Sequence, residues 1–316
     1  MRVFVAGATG ALGVPLVRRL VASGHEVTGL TRSGAKAALV RDLGATPAVA
    51  DALDAATLGA AVAESAPDAV VHALTALPKR GPLRISELAA TDRVRTRGTA
   101  NLIEAAVAAG ARRLVGESVA LVYGDTGEAV ATEARPARAP HPALQSSMDA
   151  VTSLEDQVLK ASRAGRIEGV VLRYGIFYGP GVASTDFMLR TLRRRMFPLL
   201  GGGRSVVSWI HVDDAAGATA AALTRGQPGE VYNVVDDEPA TLRDFVTELT
   251  RAVGAPAPFS VPAWVARLLG PLPATLATIR LRVSNEKAKQ ELGWAPVYPT
   301  YREGMRTLAI PFGRRG

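Results

Sequence analysis

The sequence predicts an α/β chain: a doubly wound parallel sheet covered by helices on both faces, with a small C-terminal lobe. Three observations predict it. Short apolar runs alternate with stretches of helical spacing through the first half. A glycine-rich turn, Gly7-Ala8-Thr9-Gly10-Ala11-Leu12-Gly13, joins the first strand to the first helix. The chain has 316 residues, 48% apolar and only 5% aromatic, so Ala, Val and Leu must build the core. That composition suits helices packed on a buried sheet.

The elements follow in order. RVFVAG reads as a strand, and ALGVPLVRRLVASG as a helix stopped at Gly24. HEVTGLTR is the second strand, TPAVADAL a short third, and DAVVHAL a fourth after the turn at Pro67. One long helical stretch, ELAATDRVRTRGTANLIEAAVAAG, leads to the fifth strand, ARRLVGES. A second long helix, 147–165, leads to the sixth, GVVLRYG. Right-handed crossovers then give the doubly wound order. Beyond Tyr178 the pattern loosens into the turn YGPG, a basic helix over 187–198, a strand and helix in GGGRSVVSWIHVDDAAGATAAALTR, and the strand EVYNVVDD. From Pro239 onward, proline-rich turns separate short helices. The expected division is a sheet core over 1–178 and 205–237, and a lobe over 179–204 and 238–316 that closes on it.

Composition narrows the function. There is no cysteine, which excludes disulfides and thiolate metal sites. His25, His72, His141 and His211 show no zinc-ligand spacing. No apolar run is long enough to cross a bilayer, and the N-terminus lacks the apolar stretch of a secretory signal, so a cytoplasmic location is expected. The net charge is +8, but the arginines are spread along the chain. The expectation is an arginine-rich surface with one anionic ligand, not a nucleic-acid binder.

The glycines supply the anionic ligand's site. Gly7, Gly10 and Gly13 follow an apolar strand and open an amphipathic helix. Gly7 permits the sharp turn, Gly10 lets backbone approach a pyrophosphate, and Gly13 allows close helix–strand contact. Free N–H groups and the positive end of the helix dipole complete the cradle. A dinucleotide is the implied ligand. Arg32 ends the second strand where an NAD-preferring site offers a carboxylate; with Ser33 and Lys36 it suits a 2′-phosphate, so NADPH is expected over NADH. Asp51 is placed to meet the adenine edge, or to serve as a helix cap or loop acid.

These residues resemble the extended short-chain dehydrogenase/reductase family, in its epimerase/dehydratase-like branch. The resemblance rests on VFVAGATGALG, DAVVHAL, RGTANLIEAA, ALVYGD, VVLRYGIFYGPG, SWIHVDDAA, VYNVVDDE and KAKQELGW, in the family's order over nearly the whole chain. It implies a Rossmann core, a small substrate lobe, and cofactor contacts at Gly7, Thr9, Gly10, Ala11, Leu12, Gly13, Arg32, Asp51, Ala52, Leu74 and Ala76. Tyr174 to Ile176 would run near the nicotinamide. Family dimers pair through the two long helices, so a homodimer is one possible assembly.

The family pattern breaks at its chemistry. Anchored on Glu155, the family's Tyr-x-x-x-Lys falls on Ser147 and Val151. Its catalytic Ser or Thr falls on Val119, beside Ser118, and its usual Asn on Arg95. In the family the Tyr moves a proton as hydride moves, and the Lys lowers its pKa and holds the nicotinamide ribose. Val151 does neither, and a serine is a poor acid. The remaining candidates are another side chain (Tyr123, Tyr174, Tyr178, His141 or His211), water polarised by Ser118, Ser146 or Ser147, or the substrate itself. Tyr123, Tyr178 and His211 belong to structural motifs of the family. Ser118, Ser147 and Tyr174 stand as the catalytic candidates. The expected function is an NADPH-dependent ketoreductase of a small aromatic or polyketide-like carbonyl compound, similar to atypical reductases that tailor angucyclinones. A non-catalytic NADP-binding regulator and a sugar-nucleotide epimerase or dehydratase are the competing readings.

Overall fold

The computed structural model describes residues 1–78 and 80–309. Seven strands form the central sheet: β1 Arg2–Ala6, β2 Glu26–Thr31, β3 Thr46–Val49, β4 Ala69–His72, β5 Arg113–Val119, β6 Glu168–Tyr174 and β7 Val231–Val234. Their spatial order is β7-β6-β5-β4-β1-β2-β3, with every neighbouring pair parallel. The order reverses between β1 and β4. Chain connections leave the sheet in opposite directions there and open a crevice at the strands' C-terminal ends.

Both faces are covered, as an all-parallel sheet requires. Helices α1 Gly13–Ala22, α2 Gly34–Asp42 and α8 Val212–Arg225 cover one face, through Leu16, Val17, Leu20, Val40, Ala215, Ala218 and Leu223. Helices α3 Ala55–Ser65, α5 Thr99–Ala108 and α6 Gln145–Arg163 cover the other, through Leu58, Val62, Leu102, Ala106, Leu154 and Val158.

Several boundaries differ from expectation, each for a local reason. The third strand stops at Val49, because Asp51 turns the chain by accepting from Leu53 N (2.9 Å) and Asp54 caps α3. The long helical stretch before β5 is broken into a 3-10 turn Ile85–Leu88, helix α4 Ala89–Arg93, a π turn Val94–Gly98, and α5. Thr96 and Thr99 donate back to the carbonyls of Asp92 (2.9 Å) and Arg95 (2.6 Å), bonds that compete with the helical ladder. The basic helix, α7 Ala183–Arg193, begins and ends earlier than expected, and Arg195 takes a positive φ of 59°.

The lobe gathers α7, α9 Leu242–Val253, α10 Ala263–Leu268, α11 Pro271–Thr278 and α13 Tyr301–Met305. Its core holds Leu189, Leu192, Phe245, Leu249, Tyr301 and Met305. One segment expected in the lobe belongs elsewhere. Helix α12 Glu286–Leu292 and the following Trp294 pack on the sheet core through Ala288, Leu292 and the indole, whose Nε1 donates to Asp214 O at 3.1 Å. Among the described residues, no helix is long and apolar enough to cross a membrane.

Candidate active site

The glycine turn sits at the sheet's reversal point, between the end of β1 and α1. Gly7 has φ 101°, and a Cβ there would lie 2.1 Å from Ala73 O, so the β1 and β4 exits touch through backbone alone. A Cβ on Gly13 would lie 2.1 Å from Gly7 O. The turn closes on itself through Gly10 N donating to Gly7 O at 2.9 Å. Gly10 is exposed, and a Cβ there would meet Gly7 O at 3.2 Å. Among the described residues, the N–H groups of Ala11, Leu12 and Gly13 have no backbone acceptor. They are donors at a helix N-terminus beside a surface without side chains, which fits a pyrophosphate.

Around this cradle lie the other expected cofactor contacts. Thr9 and Ala11 are half-buried on the turn, and Leu12 is buried beneath it. Arg32, Ser33 and Lys36 are all exposed at the end of β2 and the start of α2. Ser33 precedes the first residue of α2 without capping it, so its hydroxyl is free of that duty. Asp51 is exposed and spends one oxygen on Leu53 N; the helix cap is Asp54 instead. Ala52 is buried, its carbonyl held by Asn101 Nδ2 at 2.9 Å. Ala76 N donates to Thr91 Oγ1 at 3.0 Å and Leu74 N to His72 Nδ1 at 3.5 Å, which fixes the segment leaving β4. His72 is buried against Thr99 Oγ1 (3.0 Å), and burial lowers its pKa to about 4, so it stays neutral. Ile176, just past β6, is exposed.

The three catalytic candidates have different surroundings. Ser147 lies on the first turn of α6, 2% exposed, with Oγ donating to Asp92 Oδ2 at 2.8 Å. Val151 is buried one turn later. Ser118 is 1% exposed and donates to Glu155 Oε1 at 2.5 Å. Glu155 is in turn gripped by Arg173 Nε (2.8 Å) and Nη2 (2.6 Å), and Arg173 Nη1 donates to Tyr123 Oη (2.8 Å). Tyr123 donates onward to Asn233 Oδ1 at 2.7 Å. This closed network ties β5, α6, β6 and β7 together; Ser118 is one of its donors.

Tyr174 does not meet its expected role. Arg173 points toward α6, so Tyr174 points to the opposite face of the sheet. There its hydroxyl pairs with Thr219 of α8 at 2.7 Å, and burial pushes its pKa strongly up. A 2%-exposed phenol facing α8 has no path to a group lying by α6. Tyr178 is likewise buried, packed edge-on against Trp209, His211 and Phe245. His211 contacts Thr307 Oγ1 at 3.0 Å, and burial lowers its pKa to about 4. His141 lies in the loop before α6, its Nδ1 accepting from Ala143 N at 3.1 Å. With Asp125, Arg267 and Thr275 it lines a cleft of about 500 Å³ between that loop and helices α10 and α11.

Two charged groups beside these candidates were not singled out as site residues by sequence reasoning. Arg95, in the π turn, is 7% exposed. Glu117, on β5, has its pKa raised to about 7 by burial, against the opposing pull of Arg95. A charged residue inside the apolar strand RLVGESV was the available signal for Glu117.

Residues 3–235 match the model of the NAD dependent epimerase/dehydratase family. The chain belongs to that family. It is an NAD(P)-dependent oxidoreductase. Similar proteins include a "3-diazoavenalumate denitrifying reductase" of Streptomyces sp, 42% identical over 96% of this chain and 99% of the relative. A "4-hydroxy-2-methyl-3-oxo-4-farnesyl-3,4-dihydroquinoline-1-oxide ketoreductase" of Stigmatella aurantiaca is 30% identical over 98% and 96%. The fold is shared with the UDP-glucose 4-epimerase of Thermus thermophilus in complex with NAD (TM-score 0.81, 24% identity, 98% of both chains).

Proposed function

We propose that this oxidoreductase is an NADPH-dependent reductase of a small aromatic compound, working without a proton donor on α6. The observation that carries it is the pair Ser147 and Val151, a serine tied to Asp92 and a buried valine where the family has its Tyr and Lys. Bound NADPH supplies a hydride. The Ala11, Leu12 and Gly13 amides and the bare Gly7–Gly13 surface would hold its pyrophosphate. The exposed Arg32, Ser33 and Lys36 would hold its 2′-phosphate, Arg32 through charge-assisted bonds. Val151 and Met148, both buried on α6, have no proton to give.

For a ketone, the alkoxide formed takes its proton from water or from a neighbouring phenolic hydroxyl of the substrate, and positioning does the rest. A second reading is favoured by the 42% relative, whose name describes a denitrifying reductase of a diazo compound. Here an arenediazonium carbon accepts hydride, the C–N bond breaks, and N2 leaves with that bond's electron pair. The products are the arene C–H and N2. No oxyanion forms, so no acid is required.

Purified protein with NADPH and hydroxyaryl ketones, arenediazonium salts and sugar nucleotides separates the readings. Oxidation of 4-deuterated NADPH with deuterium in the aryl product supports reduction, and N2 release marks the diazo route. Binding of NADPH with no turnover on any of them would favour a regulator, and turnover of sugar nucleotides alone an epimerase or dehydratase.

A further inference from the structure

Arg95 has no counterpart in the mechanism described so far. It occupies the π turn Val94–Gly98, a local widening of the helix that re-aims side chains. Its guanidinium carries five donors and no acceptor. Among the described residues, no side chain or carbonyl makes a hydrogen bond or ion pair with it, although the residue is 7% exposed. Its nitrogens are not among the sealed, partnerless polar atoms, so the guanidinium keeps part of the residue's small exposure. Burial lowers its pKa from the ordinary arginine value, against the opposing pull of the Glu117 and Asp92 charges.

The neighbours fix where that cation points. Asp92, one turn earlier on the same helix, accepts from Ser147 on the first turn of α6, and its other oxygen, Oδ1, is buried without a partner. Arg95 therefore stands next to α6, near His72 at the end of β4 and Glu117 on β5. The pyrophosphate cradle lies at the mouth of β1, on the other side of β4. A buried cation without a bonded partner is costly unless an anion arrives to meet it. Guanidinium geometry matches a carboxylate, which it can bind through two parallel N–H donors.

We propose that Arg95 is a substrate-binding residue that takes a carboxylate of the aromatic acceptor. This rests on the reductase reading of the crevice. It makes the acceptor an aromatic acid.

The test reads binding, so it does not depend on turnover. Calorimetric titration of NADPH-saturated protein with 4-hydroxybenzoate and with neutral 4-hydroxybenzamide compares wild type, Arg95→Gln, Arg95→Lys and Arg97→Gln, an exposed arginine on the same turn. Wild type is expected to prefer the anion by about tenfold or more. Arg95→Gln is expected to lose that preference with NADPH affinity unchanged, and Arg97→Gln to keep it. If Arg95→Gln does not fold, Arg95→Lys carries the test with a reduced but surviving preference. Equal binding of acid and amide by wild type would overturn the proposal. So would an intact preference in Arg95→Gln, or, where that variant does not fold, an undiminished one in Arg95→Lys. Loss of NADPH affinity with the preference intact would also overturn it and make Arg95 a cofactor ligand. If the anion preference behaves as expected but no acceptor turns over, the reductase reading fails and the anion site stands.

Discussion

Ser147 Oγ donates to Asp92 Oδ2 at 2.8 Å, joining the first turn of α6 to α4 across the mouth of the crevice. The bond commits the serine's one proton to a carboxylate. On the proposed reading, that commitment is why the hydroxyl at 147 does not serve as the proton donor.

Removing this bond affects stability. Ser147→Ala leaves Asp92, whose Oδ1 is already buried without a partner, with no side-chain donor. Leaving such a group unsatisfied costs about 1–3 kcal/mol, which denaturant unfolding measures as a lower midpoint at unchanged slope.

The Arg32 side chain is expected to choose the cofactor. Arg32→Ala should weaken NADPH by about tenfold or more and leave NADH nearly unchanged. Fluorescence titration with both cofactors checks it, and equal losses for the two would remove Arg32 from the 2′-phosphate site.

Gly7 tolerates no side chain. With φ 101° and Ala73 O only 2.1 Å from where a Cβ would stand, Gly7→Ala must move the β1–β4 contact. The expected cost is about 1–3 kcal/mol of backbone strain plus loss of dinucleotide binding. Thermal unfolding and NADPH titration report the two effects separately.

Breaking the Glu155–Arg173 pair should be more damaging. Both side chains are under a tenth exposed, and Glu155→Gln leaves Arg173 buried with only part of its bonding. The expected loss is about 3–5 kcal/mol, read from the shift in denaturant midpoint.

Glu117 gives stability a pH dependence of defined sign. Its folded pKa, about 7, lies above the ordinary carboxyl value of 4.5 that the unfolded chain keeps. Between these values the unfolded chain has released the proton and the folded chain still holds it. Stability from this group is thus full below pH 4.5, falls as pH rises to 7, and is flat above, a total of about 3 kcal/mol. The groups facing it are Arg95 from the π turn and Tyr174 from β6; Asp92 and His72 face Arg95 in turn. Glu117→Gln should flatten this part of the curve. A wild-type profile that rises from pH 5 to 7 in parallel with the variant would contradict it.

The sheet was legible because period and punctuation agree: apolar runs at 3–6 and 69–71 and a glycine at 24. The phosphate turn was legible because only backbone can pass at Gly7 and Gly13. The broken helix before β5 was hidden, since Thr96 and Thr99 divert the ladder through hydroxyl bonds that leave the apolar period intact. Tyr174 was misread because its neighbours in sequence lie by the crevice while alternation along β6 turns its ring toward Thr219. Trp294 was assigned to the lobe because its docking on α8 is a contact 80 residues apart.

Reduction without an acid on α6 stands or falls on the rate of NADPH oxidation by folded Ser147→Ala under saturating acceptor. A kcat within about threefold of wild type is expected, because proximity and the substrate's own chemistry carry the step. A fall of about 100-fold or more, the loss typical of removing a general acid, would contradict it.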